Sequence, residues 1–180
     1  MLSRISKKKI QIPSSINVVF SDGNLNISSG STSVKVAIPT EISILIDDGL
    51  LAVKLIDENL KLGAILGTYV RIVSAAIKGV LDGHKVSLKF SGVGFKVDVT
   101  SDKKFLVLSL GFSHMICVEI PQGVTISVSG DLINISGVDI HAVSNFAALL
   151  CNVKRYDPYK GKGIVRDGAF RIVKDGKKGK

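Results

Sequence analysis

The chain has 180 residues, 46% of them hydrophobic, enough to bury one sizeable core or two small ones. Its 24 Lys/Arg against 15 Asp/Glu leave a formal net charge of +9. Only Cys117 and Cys151 occur, with no C-x-x-C, which points to a reducing compartment rather than a disulfide framework.

The charge is unevenly spread. Residues 1–82 hold nine Lys/Arg against seven Asp/Glu, residues 83–150 five against five, and residues 151–180 ten against three. The excess therefore sits on one terminal sixth, and it points to a polyanion engaged mainly by that end.

In chain order, residues 1–9 are basic through Arg4, Lys7, Lys8 and Lys9 but carry no apolar h-region, so they do not read as a signal peptide. An internal repeat follows: residues 12–23 align without gaps on 38–49 and again on 120–131. Each copy has an Ile-Pro lead-in (Ile12-Pro13, Ile38-Pro39, Ile120-Pro121), an alternating β-branched run and a Gly/Asp turn. A second strand is expected at 24–28, 50–55 and 132–136, which makes each copy a β-hairpin with proline at the strand entrance.

Residues 60–81 are apolar enough to resemble a membrane span, but Lys61, Arg71 and Lys78 interrupt them. At about 100° per residue these three fall within one third of the helical wheel, so an amphipathic helix against a core is predicted. Further strands are predicted at 85–90, 95–100, 105–110 and 115–119, jointed by Gly92-Val93-Gly94 and Gly111-Phe112-Ser113-His114. A second helix follows Asp139, its expected N-cap. Its predicted inner face is Ala142, Val143, Phe146, Leu149, Leu150 and Val153, with His141, Ser144, Asn145, Cys151 and Asn152 outside.

Asp57 aligns with Asp139 at the same 82-residue offset that relates the second and third repeat copies, 38 to 120. The predicted class is therefore α+β, two similar domains, each an antiparallel β-sheet with a helix packed on one face. Residues 1–82 form the first, with a basic N-terminal arm, and 83–154 the second. A basic C-terminal extension, 155–180, completes the chain, with turns and a short strand predicted around 170–173.

Catalytic patterns fail one by one. His84, His114 and His141 fall in different elements without zinc-ligand spacing. Gly92-Val93-Gly94 lacks the third glycine and following helix of a dinucleotide site. Gly161-Lys162 and Gly176-Lys177 are followed by Gly163 and Lys178, not Ser or Thr, so neither completes a P-loop. With no G-x-S-x-G either, no enzyme, metal or cofactor is expected.

Residues 155–164 suit a phosphate backbone better. Arg155, Lys160 and Lys162 supply charge, Gly161 and Gly163 allow close approach of bare N–H groups, and Tyr156 and Tyr159 can stack on unpaired bases. A solvated basic tail is the plain alternative. A peripheral protein meeting anionic membranes or other polyanions is another, but no basic amphipathic helix accompanies the tail, so no membrane partner is expected. There is no helix-turn-helix and no row of aromatics on a strand, so the pattern fits basic ends and Gly-rich loops wedged into a folded RNA. Six phosphate contacts would give a log–log salt slope of roughly −4 to −5.

These residues are also similar to a known family. Tyr156-Asp157-Pro158-Tyr159-Lys160-Gly161-Lys162-Gly163-Ile164 resembles the Pro-Tyr-Lys-Gly-Lys-Gly-Ile signature of the bacterial-type large-subunit ribosomal protein L-six family. The similarity extends to Ser3-Arg4-Ile5-Ser6-Lys7-Lys8, Phe90-Ser91-Gly92-Val93-Gly94-Phe95 and Leu110-Gly111-Phe112-Ser113-His114. It continues through Gly137-Val138-Asp139, Ala147-Ala148 and Lys174-Asp175-Gly176-Lys177-Lys178.

The resemblance implies two similar α+β domains and a non-catalytic, cytoplasmic role in the large ribosomal subunit. The implied partner is large-subunit ribosomal RNA near the stalk base and the sarcin–ricin loop, with neighbouring ribosomal proteins and translation factors close by. Carried over by position, the implied contacts are Arg155, Tyr156, Tyr159, Lys160, Gly161, Lys162, Gly163, Arg166, Lys174, Lys177 and Lys178. Secondary candidates are Gly92, Gly94 and Phe95 in one turn and Gly111, Ser113 and His114 in the other. Three departures, at Ser28-Ser29-Gly30-Ser31-Thr32, in the first helix and at Leu150-Cys151, each remove positive charge outside the C-terminal segment.

Overall fold

Three times along the chain an Ile-Pro pair makes the same turn. Ile12, Ile38 and Ile120 donate their N–H groups to the carbonyls of Gly49, Gly23 and Lys104, at 2.7, 2.8 and 2.8 Å. The carbonyls of Pro13, Pro39 and Pro121 then accept from Ile16, Ile42 and Val124, at 3.0, 3.1 and 3.3 Å. Proline's locked φ suits a turn, where its missing N–H goes unmissed. It thus sits in the turn preceding each strand rather than on the strand.

The computed structural model describes residues 9–30, 32–47, 49–56 and 63–176. The basic N-terminal residues up to Lys8, Asp57 and Lys61 lie outside them, as do Lys177 and Lys178. The chain divides into two compact units, Met1–Gly83 and His84–Lys180.

In the first unit, β1 (Ile10–Gln11), β6 (Leu50–Leu55) and β5 (Ile42–Asp47) form one antiparallel sheet in the order β1-β6-β5. A second holds β2 (Asn17–Ser21), β3 (Asn24–Ser29) and β4 (Thr32–Ala37) in that order. The β2–β3 turn has both Asp22 and Gly23 in the left-handed region, φ 49° and 72°, the geometry a two-residue hairpin prefers.

The helix α1 (Gly63–Leu81) packs on β3, β4 and β6. By length and composition it could cross a membrane. It buries Leu66, Val70, Val73, Ala76, Ile77 and Val80 within this unit, however, and leaves Arg71 and Lys78 exposed. That is the amphipathic arrangement its charge spacing predicts.

The second unit repeats the plan. Strands β7 (His84–Ser91), β11 (Val124–Ser129) and β12 (Leu132–Gly137) take the order β11-β12-β7. Strands β8 (Lys96–Val99), β9 (Phe105–Ser109) and β10 (Ile116–Glu119) form a separate sheet. The α+β architecture is as expected, with each unit's strands shared between two small antiparallel sheets.

The helix α2 (Ile140–Val153) is capped by Asp139, whose Oδ1 accepts from the His141 N–H at 2.8 Å. It packs on β7 and β12. Val143, Phe146, Ala147 and Leu150 are its buried residues, sealing a core with Leu88, Phe90, Leu106, Leu108, Ile133 and Ile135.

Several expectations change here. Leu149, predicted inside, is 47% exposed, because it lies about 110° around the helix from the centre of the buried stripe. Cys151, predicted outside, is half-buried against the core. The strand expected at 170–173 does not form: Phe170, Ile172 and Val173 are 92%, 60% and 73% exposed and join no ladder.

A strand instead forms earlier in the basic segment, β13 (Gly163–Arg166), antiparallel to β7, so the sheet order is β11-β12-β7-β13. β4 is also additional to the predicted strands, although its Val34 and Val36 alternate with exposed Ser33 and Lys35.

Leu150→Ala should cost about 2–5 kcal/mol in urea denaturation, as a buried truncation. Leu149→Ala one residue away should change stability by less than about 0.5 kcal/mol. Equal losses would contradict this helix rotation.

Candidate nucleic-acid interface

β13 begins where β7 ends, with Gly163 paired to Ser91 and Arg166 to Leu88. This register sets the loop 157–162, which leads into β13, beside the 92–95 turn, which leaves β7. Ser91 makes the join, its hydroxyl donating to the Gly161 carbonyl at 2.7 Å.

The loop is closed at two levels. The Ile164 N–H donates to the Lys154 carbonyl at 3.0 Å, and the Asp157 N–H to the Lys162 carbonyl at 2.8 Å. Inside, the Gly161 N–H donates to the Asp157 carbonyl at 2.8 Å. The Asp157 carboxylate accepts from the Tyr159 N–H at 2.9 Å, an Asx turn. Further along, the Lys174 N–H donates to the Pro158 carbonyl at 3.0 Å, returning the chain to the loop.

Gly163 makes this closure possible. Its φ is 136°, and a Cβ there would lie 2.7 Å from the Arg155 carbonyl oxygen and from the Tyr156 Cα. No side chain fits that approach. The two glycines are therefore consumed by the fold: the Gly161 N–H is already donated, and Gly163 is buried. This corrects the expectation that their bare N–H groups await a phosphate.

Side chains remain for that purpose. Arg155, Lys160, Lys162, Arg166 and Lys174 are exposed, and Tyr159 is 60% exposed. Tyr156 is half-buried, with the Arg171 guanidinium 6.0 Å from its ring centroid.

The two secondary turns reach the same end of the unit. The Phe95 N–H donates to the Gly92 carbonyl at 3.3 Å, closing a tight turn with Gly94 at φ 77°. The Phe95 ring folds back so that a Cβ on Gly92 would meet it at 2.7 Å, and one on Gly111 at 3.4 Å. Beyond Gly111, Phe112, Ser113 and His114 are exposed, and the Lys154 Nζ lies 4.1 Å from the Phe112 ring centroid. The contact chain from loop 157–162 through Ser91 and Phe95 to Gly111, returning through Phe112 to Lys154, gathers three sequence-distant segments on one surface.

Lys154 and Arg171 complete this surface without any motif to mark them, whereas Ser91 and Phe112 lie inside the two family-like motifs. The Lys154–Phe112 contact joins residues 42 apart in sequence (154 minus 112). At the other end of β13, burial pushes the Cys151 thiol upward in pKa, opposed by the Arg166 charge and a backbone hydrogen bond from Arg166. No group of three or more His, Cys, Asp or Glu side chains converges on a metal site among the described residues.

The family model described as Ribosomal protein L6 matches residues 92–167, starting at the Gly92 turn and ending just after β13. The whole chain is similar to large ribosomal subunit protein uL6 of Phytoplasma mali, 35% identical over 179 residues covering 98% of each chain. It is likewise similar to uL6 of Persephonella marina, 34% identical with 98% of each chain covered. For uL6 of Zymomonas mobilis the identity is 34%, over 98% of this chain and 99% of that one. The family is a structural, non-enzymatic one of the large ribosomal subunit. With identity above 30% across nearly the full length, and a family model whose match takes in the basic loop and β13, the chain belongs to the ribosomal protein L6 family.

Proposed function

We propose that the protein is a structural constituent of the large ribosomal subunit that holds large-subunit ribosomal RNA near the stalk base and the sarcin–ricin loop. Neighbouring ribosomal proteins at the stalk base, and translation factors docking nearby, are its further partners. The observation that carries this reading is the convergence of loop 157–162 with the 92–95 and 110–115 turns on the most basic part of a family member.

The contacts are made by Arg155, Tyr159, Lys160, Lys162, Arg166 and Lys174, with Lys177 and Lys178 continuing the charge. Gly161 and Gly163 serve by shaping the loop. Phosphate contacts from such side chains position the protein without reading sequence. A loop closed by its own hydrogen bonds has little backbone left to order on binding, so the cost of association falls mainly on the exposed side chains.

Tagged protein should sediment with large subunits on a gradient and remain bound in moderate salt, with nucleotides near the sarcin–ricin loop protected. Protein running free of ribosomes would end this proposal.

Neutralising Lys160 and Lys162 to Gln should flatten the log–log salt slope for rRNA binding by roughly 1.4–1.8, the loss of two phosphate contacts. The same change at Arg71 and Lys78 on α1 should matter less. Equal effects in filter binding would refute recognition led by the loop.

Gly163→Ala should destabilise the second unit by about 1–3 kcal/mol and accelerate amide exchange at Asp157 and Gly161. Unchanged exchange would show that the loop does not depend on this close approach.

A further inference from the structure

Lys154 leaves α2 in an extended conformation, φ −137° and ψ 92°, and its ammonium lies 4.1 Å from the Phe112 ring centroid. Phe112 in turn stacks on His114, with centroids 6.0 Å apart and planes 24° from parallel. The spacing is that of an offset pair, with the two rings stepped past one another. Neither ring is buried: Phe112 is 41% exposed and His114 is exposed, on a turn whose next residue, Met115, is 70% exposed. A cation thus sits against an aromatic ledge that is open to solvent.

That combination matches one class of ligand. A duplex presents phosphates but keeps its base faces stacked, so it satisfies Lys154 and leaves the ledge bare. An unpaired nucleotide offers a π face for the rings and a phosphate for the ammonium, which carries three donors. We propose that Phe112, His114 and Lys154 form a seat for a single unpaired nucleotide of the ribosomal RNA. Its base extends the offset stack on the exposed side, and Lys154 pairs with its phosphate. The seat rests on the RNA-binding reading above and adds to it. The lysines of loop 157–162 follow the backbone of a structured RNA, while the ledge detects a base that has left its stack.

The test uses the full chain and large-subunit ribosomal RNA. Phe112→Leu keeps an apolar side chain at a partly exposed position but removes the π face, and His114→Ala alters an exposed side chain, so both should retain the far-ultraviolet circular dichroism of the parent. Each should weaken binding about tenfold or more without changing the salt slope. Lys154→Gln should flatten the slope by about 0.7, one single-strand phosphate. Zero-length ultraviolet crosslinks from Phe112 or His114 should map to a nucleotide that chemical probing finds unpaired.

Parent-like affinity in both aromatic variants would overturn the seat, as would crosslinks to paired nucleotides or to a protein. If those variants bind normally while the Lys160 and Lys162 double variant does not, the seat falls and the RNA-binding reading stands. If the parent chain has no affinity for the RNA, both fall.

Discussion

Ile164 is almost fully buried, at 1% exposure, against a core that includes Leu88, Phe90 and Leu150. Immediately before it, Gly163 lies so close to the Arg155–Tyr156 backbone that a methyl group would collide. Together these contacts set the path of the basic segment. The buried isoleucine supplies the apolar free energy that a run of lysines cannot, and the glycine lets the chain fold back over its own start. Everything from Arg155 to Lys162 is then a bridge between two fixed points, Lys154 and Ile164, joined by a 3.0 Å hydrogen bond. The cations stand on a scaffold anchored at both ends, and their mutual repulsion is borne by it.

Part of this was legible in the sequence. The hairpins at 12–23, 38–49 and 120–131 announce themselves through Ile-Pro, alternation and Gly/Asp, because turn chemistry and strand period are local properties. Asp139 was readable as a cap for the same reason. β13 was not, since four residues at the end of a basic run have no period to detect, and their pairing with β7 joins segments more than seventy residues apart. The failed strand at 170–173 is the converse case. Phe170, Ile172 and Val173 have strand-like composition, but composition alone does not make a strand without a pairing partner, and these residues join no ladder in the structure. At the site, the lysines and tyrosines could be named from composition. The Lys154–Phe112 contact and the Ser91 link could not, because they arise only once the loops are brought together.

The repeat also changes meaning in three dimensions. All three Ile-Pro copies share a turn, but only two share a place in the fold. The β5–β6 hairpin corresponds to β11–β12, from Ile42 to Val124 at the 82-residue offset, and each hairpin is followed by the unit's helix. The first copy leads into β2, whose counterpart β8 is instead preceded by the Gly92 turn. The likeness of copy one to the others is thus a convergence of local turn physics, whereas that of copies two and three reflects a repeated domain.

Matching the units strand by strand isolates what the second one adds. The orders β1-β6-β5 and β2-β3-β4 map onto β7-β12-β11 and β8-β9-β10, and α1 maps onto α2. β13 alone has no counterpart among the described residues of the first unit, where α1 runs through Asp82 and Gly83 directly into β7. The added strand extends the sheet by the edge of β7, and so it must begin beside the turn at Gly92. An antiparallel strand placed there forces its preceding loop onto the end of the unit where the 92–95 and 110–115 turns already meet through Phe95. The basic loop therefore needs no separate device to find those turns. Its position follows from sheet geometry, and the duplicated domain becomes a binding surface through the addition of one strand.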